Sequence, residues 1–285
     1  MRDLLATHGE TWATAATDLG LTWWFERGFL AVRVRAEQYV QRGWAEQPLP
    51  GEIMFLQFDE VGPHLADPRL DPRDVVALSL ARNELDGPRL RQWVTTPRST
   101  RVQTLVLSET NLGPGMAPVF RNAEHGAFTE LRRLDLALNP LTDVELQNFV
   151  QLADLPALRE LILYSTELTS KGMPALAESA VLRQLTYLDL SFNELGDAGL
   201  RALMQAPDLS NLRTLRLKSN YISVNGLEAL LAAPTLTQLQ HLELVRNRFD
   251  VPWRGLHCGG VPLDTVVDPT ICARLHERWP GLVVW

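Results

Sequence analysis

An eleven-residue frame returns seven times along this chain at nearly constant spacing. It reads "VVALSLARNEL" from Val75, "VQTLVLSETNL" from Val102, "LRRLDLALNPL" from Leu131 and "LRELILYSTEL" from Leu158. It continues as "LTYLDLSFNEL" from Leu185, "LRTLRLKSNYI" from Leu212 and "LQHLELVRNRF" from Leu239, so the starts lie 27, 29, 27, 27, 27 and 27 residues apart. A period this long and this constant is the signature of stacked units, because one short unit cannot bury its apolar face alone.

Within each copy, leucines at the fourth and sixth positions alternate with residues of mixed character. That alternation predicts a short parallel strand with one side-chain set inward and the other outward. Beyond the frame come the capping residues Thr142, Thr169, Asp197 and Ser223, each followed by apolar residues at helical spacing, such as Leu200 and Leu203 or Leu227, Leu230 and Leu231. These are expected to start helices. Residues 75–249 closely resemble leucine-rich repeats of the long, helix-containing type seen in ribonuclease inhibitor. The resemblance implies an α/β solenoid, a right-handed horseshoe with a parallel β-sheet on its concave face and helices on its convex face.

The polar ninth position has a physical explanation. A chain that turns after every strand leaves N–H and C=O groups inside the stack that need partners. An inward amide can serve both its own turn and the next unit. Asn83, Asn139, Asn193, Asn220 and Asn247 are expected to form such a ladder, with Thr110 and Thr166 in the same column. Threonine carries one hydroxyl, so its rungs should be less fully bonded.

The ends differ from the middle. Trp12, Trp23, Trp24 and Trp44 precede the repeats and Trp253, Trp279 and Trp285 follow them, which leaves Trp93 inside. Terminal repeats need covering, and bulky aromatics can cover them. Residues 1–74 are therefore read as an N-terminal cap. Two capping strands are expected there, one where Val32 and Val34 alternate with Arg33 and Arg35, the other around Ile53, Leu56 and Phe58, with a helical segment between. "LLATHGETW" and "WFERGF" resemble the bacterial repeat-companion domain, a resemblance that brings no established activity. Residues 250–285 are read as a C-terminal cap of loop, helix and final strand, with Asp268 as N-cap and Pro269 at the first helical position.

Composition narrows the function. With 46% hydrophobic and 21% charged residues the chain should fold, and a net charge of −7 argues against nucleic acid or an anionic membrane as its partner. The N-terminal sequence lacks the apolar core of a signal peptide, and no run is long enough to span a membrane, so a cytoplasmic protein is expected. Two cysteines suit a reducing compartment. The phosphate-loop, hydrolase-elbow and zincin motifs are absent, so no catalytic residue and no cofactor are assigned. His257, Cys258, Cys272 and His276 fall within 20 residues, and Cys272 and His276 share a predicted helix face. Without a close cysteine pair this set is read as a buried thiol and solvated histidines, not as a metal site.

A solenoid binds along its extended strand face. Leu138, Ile162, Tyr164, Tyr187 and Phe192 stand at outward positions of the third to fifth repeats, among Arg132, Arg133, Arg159, Asp135 and Asp189. Aromatic anchors with an arginine and carboxylate rim have the composition of a protein-binding hot spot. Arg133 with Glu160, and Arg216 with Asp189 or Glu243, are expected as cross-strand ion pairs of little net value. The expected function is a non-enzymatic module that holds an unidentified protein partner on its concave face. A GTPase-activator-like regulator, as some long-repeat relatives are, and a zinc-stabilised cap with a regulatory thiol are the alternatives.

Overall fold

The computed structural model describes residues 13–26, 29–44, 53–71, 75–95, 101–113, 115–121, 128–248 and 269–284. The chain packs as two compact units, residues 1–135 with 154–157, and residues 136–153 with 158–285.

In the first unit, α1 (Thr14–Asp18) leads into β1 (Thr22–Glu26), β2 (Phe29–Arg35), α2 (Ala36–Gln41) and β3 (Ile53–Asp59). The repeats begin with β4 (Ala77–Ser79), α3 (Gly87–Thr95), β5 (Thr104–Val106) and β6 (Arg133–Asp135). Strands β2 to β6 pair in parallel in chain order. Their register sets Leu56, Leu78, Leu105 and Leu134 side by side, each 0–1% exposed. A buried leucine contributes roughly 2 kcal/mol through transfer from water, so this column is the unit's spine.

Among the described residues the N-terminal region has three strands where the sequence pattern indicates two. The extra one, β1, is the run "TWWFE", which pairs antiparallel with β2 from Thr22 opposite Arg33 to Glu26 opposite Phe29. Aromatic residues favour a pleated, half-buried surface, and the edge beside β2 provides one. Helix α2 lies between β2 and β3 as expected, and its Tyr39 packs edge-on against Phe58 and Trp44. The Tyr39 hydroxyl donates to the Asp71 carbonyl at 2.9 Å. Trp93 is buried, and its indole N–H donates to the Leu70 carbonyl at 2.9 Å. Among the described residues of the second repeat, the segment after the strand is a 3-10 turn, Ala117–Phe120, with Pro118 in its first turn, where a missing N–H costs nothing.

The second unit holds α4 (Asp143–Leu152), β7 (Glu160–Ile162), α5 (Met173–Glu178), α6 (Ala180–Gln184) and β8 (Tyr187–Asp189). It continues with α7 (Gly196–Met204), β9 (Thr214–Arg216), α8 (Val224–Ala232), β10 (His241–Glu243), α9 (Pro269–Arg278) and β11 (Val283–Val284). Strands β7 to β11 are again parallel and in chain order, with Leu161, Leu188, Leu215 and Leu242 in one inward row that ends at Val284. Pro269 is the first residue of α9, as expected, while Asp268 lies outside the described residues. Trp279 is buried beyond α9 and donates its indole N–H to the Leu236 carbonyl at 2.9 Å, and Arg274 of α9 bonds Glu228 of α8.

Thr142 and Ser223 cap α4 and α8, accepting the N–H groups of Glu145 and Asn225. Thr169 and Asp197 do not cap helices. Thr169 precedes α5 by four residues, and its N–H and hydroxyl instead donate to the Asp143 carboxylate at 2.9 and 2.6 Å. Asp197 is the second residue of α7 and bonds to the following repeat. Both residues have the chemistry of a cap, and the partner that claims each lies 26 residues away.

The ninth-position side chains bond as an inward column. Asn193 donates to the carbonyls of Leu163, Leu190 and Ser191 at 2.7, 2.9 and 3.3 Å. Its Oδ1 accepts the N–H groups of Thr166 and Leu168 at 3.1 and 3.0 Å. Asn247 treats Asn220 and Ile222 in the same way, and Asn83 accepts from Val61 and donates to Phe58, Leu80 and Ala81. Thr110, Asn139 and Thr166 donate to carbonyls of their own turns. Asn220 donates to Leu190 and Lys218, but its buried Oδ1 has no partner.

Candidate protein-interaction surface

The residue before each ninth position has a left-handed backbone. Arg82, Glu109, Leu138, Ser165, Phe192, Ser219 and Arg246 all have φ between 51° and 60°. The turn from strand to loop requires this conformation, which side chains other than glycine, asparagine and aspartate seldom adopt. In the second unit it brings bulky apolar side chains to the surface. Leu138 is 44% exposed and Phe192 half-buried.

Around Phe192 the structure brings several expected residues together. Its ring lies 4.9 Å from that of Tyr164, centroid to centroid, at an interplanar angle of 51°. The Lys218 ammonium sits 5.4 Å from the centroid of the Phe192 ring and 3.9 Å from the Glu243 carboxylate. The Leu138 N–H donates to the Tyr164 carbonyl at 2.8 Å, so Leu138, Tyr164, Phe192 and Lys218 succeed one another across four repeats. From Tyr164 to Lys218 the row runs along the C-terminal ends of β7 to β9.

The strand face beside the row is organised by Arg216. Its guanidinium bonds Glu243 through Nε, lies 3.2 Å from the Asp189 carboxylate, and donates to the Tyr187 hydroxyl at 3.2 Å. Asp189 and Glu243 are 3% and 5% exposed, so these are not the solvated pairs expected from sequence. Burial works against the Arg216 charge, but the hydrogen bonds to Glu243 and Tyr187 and the nearby Asp189 outweigh it and raise the guanidinium above its ordinary value.

Other expected contact residues fall differently. Ile162 is buried at 6% exposure, beneath its neighbours despite its outward register, and Asp189 is engaged by Arg216 and by the Ser191 N–H. Arg159 is exposed, with Nη1 on the Leu158 carbonyl. Arg132, Arg133 and Asp135 belong to the first unit, where Arg132 is exposed and Arg133 lies 4.0 Å from Asp135. Sequence reasoning anticipated that Arg216 pairs with Asp189 or Glu243, but passed over Lys218 and the Tyr187 hydroxyl that the same guanidinium bonds. The alternation of Asp189, Arg216 and Glu243 down one column was the available signal.

Residues 182–204 and 208–231 match the family described as Leucine Rich repeat. Those two segments carry leucine-rich repeats. Among solved structures, the repeats are similar to an internalin (inlF) from Listeria monocytogenes, at 19% identity and a TM-score of 0.51. The match covers 82% of this chain and 54% of that one, so the chain spans about half the length of the internalin. At this identity the likeness concerns the fold, an α/β leucine-rich-repeat solenoid. A plant peptide hormone receptor, RGFR1 in complex with RGF2, aligns over 82% of this chain and 32% of its own at 21% identity and a TM-score of 0.40. No curated protein matches the sequence.

Among the described residues no helix is long and apolar enough to cross a membrane, and no group of three or more potential metal ligands occurs. Cys272 is buried, and the His276 Nδ1 lies 2.8 Å from the Cys272 carbonyl oxygen. His257 and Cys258 lie outside the described residues.

Proposed function

We propose that this protein is a non-enzymatic protein-interaction module that holds a protein partner on its concave strand face. The observation that carries the reading is the row of Leu138, Tyr164 and Phe192, apolar side chains raised to the surface with a cation at one end. Such anchors beside charged groups are what protein interfaces use. Tyr187 and Arg159 flank the row in this reading. The repeats belong to the long, ribonuclease-inhibitor-like type, and the N-terminal segment to the companion type. The paucity of cysteines fits work in the cytoplasm, and the net charge of −7 fits a protein partner better than nucleic acid.

The test is quantitative capture of the protein that co-purifies with the chain from its native extract. Tyr164→Ala and Phe192→Ala are each expected to weaken that partner by about 2 kcal/mol. Tyr187→Phe removes only the hydroxyl that Arg216 bonds and should leave binding nearly unchanged. Undiminished capture by a Tyr164→Ala, Phe192→Ala double variant that melts as wild type does would move the interface elsewhere.

A further inference from the structure

We infer that the partner of this surface presents an extended segment of about six residues, apolar at one end and acidic at the other, laid across the strand-end row. The inference rests on the reading of that row as the interface, and it adds the chemistry and direction of what binds.

The row changes character along its length. Over the third to fifth repeats it offers Leu138, Tyr164 and Phe192, and the exposed carboxylates there, Glu167 and Glu194, repel an acidic group. Beyond Phe192 the sign reverses. Lys218 lies against the Phe192 ring, Arg246 is exposed, and Arg248 stacks at 4.7 Å on Tyr221, which is itself 50% exposed. Among the described residues neither Arg246 nor Arg248 has a carboxylate in ion-pair range, although the chain carries an excess of acids. Two arginines with no carboxylate partner among the described residues, beside an exposed aromatic, favour a carboxylate with some apolar character around it.

Length follows from spacing. Neighbouring strands lie about 4.8 Å apart, so the four steps from the repeat of Leu138 to that of Arg246 cover roughly 19 Å. An extended chain rises about 3.3 Å per residue, which gives about six residues. The apolar side chains then lie over Leu138, Tyr164 and Phe192, and the acidic ones over Arg246 and Arg248. The reverse placement sets acids beside Glu167 and Glu194.

A phage-displayed library of random hexapeptides, selected on the full chain, tests this. The expected winners carry aromatic or aliphatic residues at one end and Asp or Glu at the other, and the synthesised consensus peptide should bind wild type at least about tenfold more tightly than an Arg246→Glu, Arg248→Glu variant of equal melting temperature. Binding should weaken as salt rises. Winners that are basic or neutral, and bound equally by the charge-reversed variant, overturn the inference while leaving the row as an interface. A consensus peptide that binds a Tyr164→Ala, Phe192→Ala variant at full strength overturns both. Absence of any enrichment, together with dimerisation in sedimentation that the charge reversal abolishes, would assign the row to a second copy of the chain and overturn the inference as well.

Discussion

The carboxylate of Asp197 accepts both the backbone N–H and the hydroxyl of Ser223, at 2.7 and 2.6 Å, and so ties the first turn of α7 to the residue that caps α8. Asp143 and Thr169 repeat the arrangement two repeats earlier. A glycine completes each site, because a Cβ on Gly226 would meet the Asp197 Oδ1 at 2.5 Å and one on Gly172 would meet the Asp143 Oδ1 at 2.6 Å. Asp197→Ala is expected to cost about 1.5 to 3 kcal/mol, since two hydrogen bonds to a charged acceptor are lost. Gly226→Ala should destabilise as well, and the two changes together should cost less than their sum, because alanine at 197 removes the nearer obstruction to the new Cβ and leaves Ile222 Cγ2 at 2.8 Å. Denaturant melts of the two single variants and the double variant check this.

For the inward column, Asn193→Ala should cost about 1 to 3 kcal/mol, since it leaves the Thr166 and Leu168 N–H groups without their acceptor. Thr166→Ala should cost less. Asn220→Ala should also cost less than Asn193→Ala, because the Asn220 Oδ1 accepts nothing. Equal losses at 193 and 220 would contradict this account of the column.

Arg216→Met leaves two buried carboxylates, Asp189 and Glu243, without their shared cation. The expected loss is about 3 to 5 kcal/mol. Replacing all three, as Asp189→Asn, Arg216→Met and Glu243→Gln, should recover much of it, since both buried carboxylates go with the cation and Lys218, 3.9 Å from Glu243, is 29% exposed and open to solvation. Thermal melts of the single and triple variants decide the matter.

Glu228 holds the C-terminal helix at the surface. The hydrogen bond from Arg274 keeps its carboxyl below the usual value, against a weaker opposing effect of desolvation. A folded-state value depressed in this way gives stability that is present above the unfolded value and lost as pH falls through the folded one. Glu228→Gln should therefore lower the melting temperature at about pH 7, and the deficit should shrink as pH falls through the folded value. A deficit that persists in acid would mean the side chain acts through packing and not through charge.

Much of this was legible because it is periodic. The inward leucines and the ninth-position amides recur at one spacing, so even short strands such as Tyr187–Asp189 could be located. Asp197 was misread because a helix-capping aspartate and one that bonds the next repeat look alike over a few residues. The column of Asp143 and Asp197, with Thr169 and Ser223 after it and Gly172 and Gly226 three residues further, carried the distinction at longer range. The burial of Ile162 had no comparable signal, since its register is outward and only the neighbouring side chains cover it. The 3-10 turn of the second repeat was announced by Pro114 and Pro118, which the repeat frame overshadowed.

The left-handed residue of every repeat would be easiest to supply as glycine, yet all seven copies carry a side chain there. The backbone path at that point is dictated by the turn and not by the side chain, which makes the row an alphabet written on a fixed ruling. Exchanging Phe192 for serine, the residue already borne by the repeats on either side of it, changes what is spelled without moving the line on which it is written. A chain built this way can acquire a new binding preference by single substitutions, with no need to discover a new fold in the process.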